Sequence, residues 1–363
     1  MRFRWVELRD FRNHRATALR DLPGGLLVAV GGNGEGKTNL LEGMYYALAL
    51  ASPRSAGTGP LVRDGAEAAY VRAEVETAGG RVLVEVEIPR EGASRVHVDR
   101  SPVRRKRELR RRVRGVFFGP EDLDVVRGDP AARRRFLDEA VAALWPLREG
   151  LAPAYERVLR QRNRLLKEWE GREAPAGLEA WDAQLVTAGA ALTRARGEAV
   201  DRLAGPAGEA FAGVAGYGLE CRYRPSVWGE DLDEAFRARL AERREDELVR
   251  RTSLVGPHRD ELDLAVRDLG ARAFASHGEA WAAALCLRLG LAAAVHGELG
   301  EPPVLFLDDP LAPLDPERQR RVADLVAARG QVVMAVADEA HVPSGAARVW
   351  EIRGGDVAPR GAA

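Results

Sequence analysis

Lysine is nearly missing from this chain of 363 residues: only Lys37, Lys106 and Lys167 stand among its 55 basic side chains, the rest being arginine. A lysine kept in such a chain points to a place where a compact charge on a flexible stem is needed. Cysteine is as scarce. Cys221 and Cys286 are too few for a disulfide framework or a cysteine-built metal site, so cytoplasmic residence is the expectation. Net charge is zero, with 55 acids against 55 bases, and bulk charge therefore selects neither a nucleic acid nor any other partner. No apolar leader opens the chain, because MRFRWVELRD alternates charged and apolar residues. The apolar stretches at 281–295 and 304–307 read as interrupted or too short for a bilayer, so no membrane partner is expected. Six scattered histidines offer no metal cluster. What is present, 46% hydrophobic and 30% charged residues, is the balance of a folded chain with one large or two ordinary domains.

The rhythm of the sequence changes twice. Residues 1–104 read as strands around one helix: MRFRWVELRDFRNH alternates, GLLVAV is a buried-strand candidate, and AYVRAEVET and RVLVEVEIPR have the alternation of half-exposed antiparallel strands. Residues 105–248 carry helical periodicity broken by proline and glycine, without a sustained heptad repeat. Residues 249–363 return to strand–helix alternation, with PPVLFLDD and QVVMAVAD as buried strands. The pattern predicts an α/β head assembled from two discontinuous segments, with a predominantly helical arm inserted between them.

GGNGEGKT at 31–38 satisfies G-x-x-x-x-G-K-T between an apolar strand and a helix, the context that motif requires. Gly31, Gly32, Asn33, Gly34, Glu35 and Gly36 form a backbone nest whose N–H groups suit phosphate oxygens. Lys37 is placed to reach the terminal phosphates, and Thr38 to hold Mg²⁺. Further on, VLFLDD exposes Asp308 and Asp309 at the carboxyl end of a buried strand, where carboxylates meet a phosphate loop. Asp308 is the metal-positioning candidate and Asp309 the residue that orients or deprotonates water. ATP and Mg²⁺ are the expected cofactors, and GTP selectivity has no support because no N-K-x-D string occurs. The 271 positions from Lys37 to Asp308 require a large insertion.

These elements together resemble the ATP-binding-cassette-type P-loop ATPase heads of chromosome-maintenance proteins, and more closely the RecF family. The resemblance rests on Phe11-Arg12-Asn13-His14, the phosphate loop, FFGPEDLDVVRGDPAARRRFLDEAV at 117–141, GPHRDEL at 256–262 and DDPLAPLDPERQRR, and it covers essentially the whole chain. It implies that Arg12 and Asn13 belong to the nucleotide site. It also implies that Ser276 and Gly278 form a signature segment acting on a partner's nucleotide, and that Asp315 lies in the segment crossing the dimer seam. Ser276 followed by Glu279 is equally a helix capping box, and Asp315 before Pro316 a helix cap. The family usually carries glutamine where Glu279 stands. The function the resemblance implies is that of an ATP-dependent homodimer, which clamps duplex or gapped DNA and works with RecO-like and RecR-like partners in recombinational repair at the nucleoid. Asp at 309 and the alanines of QVVMAVAD imply slow turnover, a switch more than a motor.

Between positions 100 and 114 the bases crowd: Arg100, Arg104, Arg105, Lys106, Arg107, Arg110, Arg111, Arg112 and Arg114, opposed only by Glu108. From Arg104 onward they are the DNA-contact candidates. Arg133–Arg135 and the helix bearing Arg157, Arg160, Arg162, Arg164 and Lys167 are further basic clusters, and any such run is also compatible with a merely solvated face. Two other readings of the chain remain, a transporter-associated cassette subunit and a nucleotide-regulated protein scaffold.

Overall fold

The structure, a computed structural model, describes residues 1–55, 57–171 and 174–360. In chain order come β1 (Arg2–Phe11), β2 (His14–Leu19), β3 (Leu26–Val30), α1 (Lys37–Ala49), β4 (Ala68–Thr77), β5 (Gly80–Pro89), β6 (Arg95–Val98), β7 (Ser101–Pro102), α2 (Lys106–Arg110) and β8 (Gly115–Phe118). Next are α3 (Leu123–Arg127), α4 (Pro130–Leu144), α5 (Leu151–Glu168), α6 (Leu178–Ala215), β9 (Leu219–Arg224) and α7 (Leu232–Arg250). The last part holds β10 (Glu261–Val266), β11 (Leu269–Gly270), α8 (Ala271–Phe274), α9 (His277–Leu299), β12 (Val304–Asp308), α10 (Pro316–Ala327), β13 (Val332–Val336), β14 (Arg348–Arg353) and β15 (Asp356–Pro359).

A parallel sheet ordered β14-β3-β13-β12-β8 carries the site, with β15 closing one edge antiparallel to β14. Its central strands β3, β13 and β12 are continuous apolar runs because both faces are covered. Leu26, Val28 and Val30 face the helices α3, α4, α6 and α9, whereas Leu27 and Ala29 face α1 and the antiparallel sheet. β12 splits the same way, Leu305 and Leu307 to one side, Val304 and Phe306 to the other. This period of two, read in two cores at once, fixes the register of the strands and so the height at which each one ends. The antiparallel sheet β2-β1-β4-β5-β6-β7 roofs α1.

β8 falls inside the stretch 105–248 expected to be helical, yet it pairs parallel to β12 as an edge strand. Four residues flanked by basic residues and Gly-Pro are too short for periodicity to separate strand from helix. α3 and α4 also belong to the core beneath the parallel sheet. The arm proper is α5, the first half of α6, and α7, which enclose a core around Tyr155, Leu185, Val186, Leu192, Phe236 and Leu240. α6 then runs on through Pro206 for 38 residues in all and packs its second half into the head.

The stretch 281–295 also differs from expectation. It lies in α9, a 23-residue helix long and apolar enough to cross a membrane. That helix is the spine of the head's main core, with Ala282–Leu287 at 0–1% exposure.

Candidate nucleotide site

The phosphate loop leaves the end of β3 and enters α1 at Lys37. Gly36 has φ 115°, and a β-carbon there would strike the Asn13 side chain, so only glycine fits the turn. A β-carbon at Gly31 would collide with the carbonyl oxygen of Ile352, from β14. The loop is held by the β1–β2 turn: Asn13 Nδ2 donates to the Glu35 carbonyl at 3.0 Å, and Asn39 donates to Asn13 Oδ1 at 2.8 Å. Buried His14 places Nε2 3.0 Å from the Gly36 carbonyl and Nδ1 3.0 Å from Thr17 Oγ1. From the other side Gly355 N–H donates to the Glu35 carbonyl at 2.8 Å. The Lys37 ammonium donates to the carbonyls of Gly31 and Gly32 at 2.7 and 2.8 Å. At 7% exposure, burial holds its pKa below the ordinary lysine value, with Asp309 and Asp308 pulling it back up.

Opposite the loop, Thr38 Oγ1 donates to Asp308 Oδ1 at 2.9 Å. Burial pushes the Asp308 carboxyl up to about 6; the Thr38 bond and the Arg54 charge oppose this, and Asp309 adds to it. Asp309 stands at φ 50° with its N–H on the Ala335 carbonyl at 3.0 Å, and its buried Oδ1 has no hydrogen-bond partner among the described residues. A strained backbone, an orphaned carboxylate oxygen and a second carboxyl destabilised by burial, all beside a threonine hydroxyl, form a hard oxygen donor set. These residues fit a magnesium ion: Thr38 and Asp308 would hold it, and Asp309 would face it or its water.

Arg12, which the resemblance assigned to the nucleotide site, is anchored on α1. Its guanidinium grips the fully buried Glu42 of α1 with two bonds of 2.9 Å and also reaches Pro60 O and Ser55 Oγ at 2.8 Å. Arg54 donates to the same Glu42 at 2.5 Å and to Asn39 Oδ1 at 2.7 Å. Glu42 and Arg54 were not singled out in the sequence. The only signal for either was a glutamate within an otherwise apolar helix, NLLEGM, where a buried charge must be paired.

Ser276 caps α9 and forms the capping box in full, its N–H on Glu279 Oε2 at 2.7 Å and its Oγ accepting from Glu279 N–H at 3.3 Å. Glu279 also accepts from the Tyr217 hydroxyl and Arg267, so its carboxylate turns onto its own chain. The Tyr217 and Ser276 hydrogen bonds and the Arg267 charge outweigh burial and hold it at about 2. Ser276 is exposed, Gly278 half-buried beside Pro313 O. Asp315 caps α10 by accepting from the N–H groups of Glu317 and Arg318.

The basic run divides. Arg114 is buried, Arg110 donates to Ala49 O and Glu149, and Arg112 pairs with Asp99. Arg104, Arg105, Lys106 and Arg111 are exposed and Arg107 partly so, with no ion pair among the described residues. The other clusters also lose members to the interior: Arg133 is buried against Glu261, and Arg162, at 0% exposure, joins Asp182, Ser253 and Glu247.

The chain matches the family described as the RecF/RecN/SMC N terminal domain over residues 3–351. It is 40% identical to the DNA replication and repair protein RecF of Kineococcus radiotolerans, over 94% of this chain and 98% of that one. To the RecF of Streptomyces avermitilis it is 42% identical, over 93% and 94%. Among solved structures, the recombination mediator protein RecF with ATP superimposes with a TM-score of 0.87 at 25% identity, covering 99% and 97% of the two chains. The Smc head domain of Pyrococcus furiosus shares the fold at a TM-score of 0.57 and 16% identity, covering 99% and 95%. With a phosphate loop after β3, an acidic end on β12 with β13 between the two strands, and a helical arm inserted in the chain between them, the chain belongs to the RecF family of ATP-binding-cassette-type heads.

Proposed function

We propose that this protein is an ATP-driven, DNA-binding switch of recombinational repair and replication restart. The observation that carries the reading is the set of Lys37, Thr38, Asp308 and Asp309, brought together from sequence positions 271 apart. The nest from Gly31 to Thr38 binds the triphosphate, and Lys37 exchanges its two carbonyl partners for phosphate oxygens. Magnesium, when bound, neutralises phosphate charge. Asp309 Oδ1, with no hydrogen-bond partner among the described residues, accepts a proton from the attacking water, and the aspartate's short reach keeps turnover slow.

Two heads close on ATP, each lending Ser276 and Gly278 to the other's nucleotide. Ser276 Oγ accepts its helix cap but keeps its own proton to donate, so the cap and the signature role coexist. Glu279, turned onto Tyr217 and Arg267, leaves the seam free of a facing carboxylate. DNA meets the exposed part of the basic run, Arg104, Arg105, Lys106, Arg107 and Arg111, doubled by dimerisation, and RecO-like and RecR-like partners deliver the complex to gaps. Replacing Lys37 by Met is expected to weaken ATP binding at least about 100-fold, or about 2.7 kcal/mol, with unchanged circular dichroism. In the same titrations ATP, not ADP, tightens binding to duplex and gapped DNA. Equal ATP affinity in the variant removes the site, and DNA binding indifferent to nucleotide removes the switch.

A further inference from the structure

Four arginines are buried among the described residues: Arg114, Arg133, Arg162 and Arg196. Three are carboxylate-paired, Arg133 to Glu261, Arg162 to Asp182 and Glu247, and Arg196 to Asp138 and Asp260. Arg114 is the exception. At 6% exposure it donates Nε to the Ala143 carbonyl at 3.0 Å and Nη1 to the Val113 carbonyl at 3.3 Å, and no carboxylate among the described residues meets it. Burial and the neighbouring Arg110 push its pKa down to about 10. A buried cation left with neutral acceptors is expensive unless something else completes it.

Arg114 lines a cavity of about 330 Å³ between α1, β8, α4 and α9. Tyr45, Leu48, Phe117, Phe136 and Leu291 supply apolar wall, with Tyr45 and Phe117 packed edge to face at 5.4 Å. Arg288, also in the lining, is ion-paired through Nε and Nη2 with Asp122 and Glu139 at 2.6–2.9 Å. Arg135, which also lines it, is exposed and without an ion pair among the described residues, and Glu121 and Asp124 are exposed lining acids. The volume admits one or two side chains. Of the arginines that line it, Arg114 is buried with carbonyl acceptors alone.

We propose that this cavity receives an acidic peptide of a partner protein, seating a carboxylate on Arg114 and an apolar side chain on Tyr45, Phe117 and Phe136. Arg135 meets a second acid as the peptide leaves the cavity, and Glu121 and Asp124 repel the acidic end and so set its direction. None of these residues belongs to the phosphate loop or the acidic strand end.

The test is fluorescence anisotropy on the full chain with a labelled pool of hexapeptides, each carrying two glutamates beside two apolar residues. The same pool is measured with glutamine for glutamate, and again with serine for the apolar residues. Each substitution is expected to weaken binding at least about tenfold, and inorganic phosphate is expected to compete poorly because it lacks the apolar part. Arg114→Met removes the cation at similar volume. Ala132→Phe fills the cavity from α4 without changing charge, and carries the test if the first variant does not fold. Both are expected to lose at least about tenfold in peptide affinity while ATP affinity stays unchanged. No binding by the pool up to about 1 mM overturns the proposal. So does binding that ignores Ala132→Phe and the glutamine pool, or full displacement by phosphate, which marks a plain anion site.

Discussion

At the junction of arm and head, Asp260 is 1% exposed and both oxygens of its carboxylate are engaged. Ser226 N–H donates to Oδ1 at 2.8 Å, and Arg196 and the Tyr223 hydroxyl donate to Oδ2. Beside it His258 bridges Tyr155, at 2.6 Å, and the Ser253 carbonyl, at 3.0 Å. At the nucleotide site, Asp308 is 5% exposed with one hydroxyl for a partner, and Asp309 has a buried oxygen with none among the described residues. The two places hold the same chemistry at similar depth. One is complete in the protein alone and joins α4, α6 and β10, while the other keeps a carboxylate oxygen without a partner among the described residues. Full satisfaction belongs to a mechanical joint, and the missing partner to a binding site.

The comparison breaks most visibly if matched amides behave alike. Asp260→Asn leaves Arg196 short of one carboxylate and is expected to destabilise the chain by about 3–5 kcal/mol in denaturant titrations. A loss below about 1 kcal/mol would mean that the junction is not held by this charge.

Acid sharpens the same contrast. Burial lowers the His258 pKa to about 4, against 6.5 for the free side chain, with the Ser253 carbonyl and Asp260 opposing. The native state therefore binds fewer protons than the unfolded one between these values, and stability present above pH 6.5 is lost as pH falls toward 4. The full effect is about 3 kcal/mol. His258→Gln is expected to flatten that part of the stability–pH curve, and a variant curve that keeps its slope assigns the acid sensitivity elsewhere.

Asp308→Asn reverses the sign seen at Asp260. The native carboxyl is raised to about 6, so its contribution is favourable below the unfolded value of 3.8 and is lost as pH rises through 6. Removing the charge at neutral pH is expected to raise the stability of the nucleotide-free chain by roughly 1–3 kcal/mol, while weakening magnesium-dependent ATP binding. Destabilisation at pH 7 would show that Asp308 is as well served as Asp260.

Much of this was legible in the chain. Gly31–Thr38 and Asp308–Asp309 carry their meaning in local pattern, because a nest needs glycines at fixed offsets and a strand end needs acids after an apolar run. The buried strands were equally plain, since two covered faces leave an unbroken apolar run such as VLFLD. β8 escaped because four residues hold too little periodicity. Arg114 and Arg162 escaped for another reason: a charge run looks the same whether its members face water or a core, and tertiary packing decides which. The Arg12–Glu42 pair was not legible either, because Glu42 sits thirty positions away on a helix whose other residues gave no hint of a buried ion pair.

The smallest effect separates two roles of one hydroxyl. Ser276 is a satisfied group in the isolated chain, like Asp260, because its oxygen caps α9; in the closed dimer proposed above it would also serve a partner's nucleotide. Ser276→Ala is expected to cost about 1 kcal/mol through the lost cap. Ser276→Asp keeps a capping oxygen while putting a negative charge where a partner's phosphate would approach. Sedimentation with ATP is expected to show the aspartate variant stable but monomeric, and the alanine variant less stable yet still partly dimeric. If the aspartate variant dimerises like the parent chain, the hydroxyl is a helix cap and nothing more, and the seam between two heads lies away from Ser276.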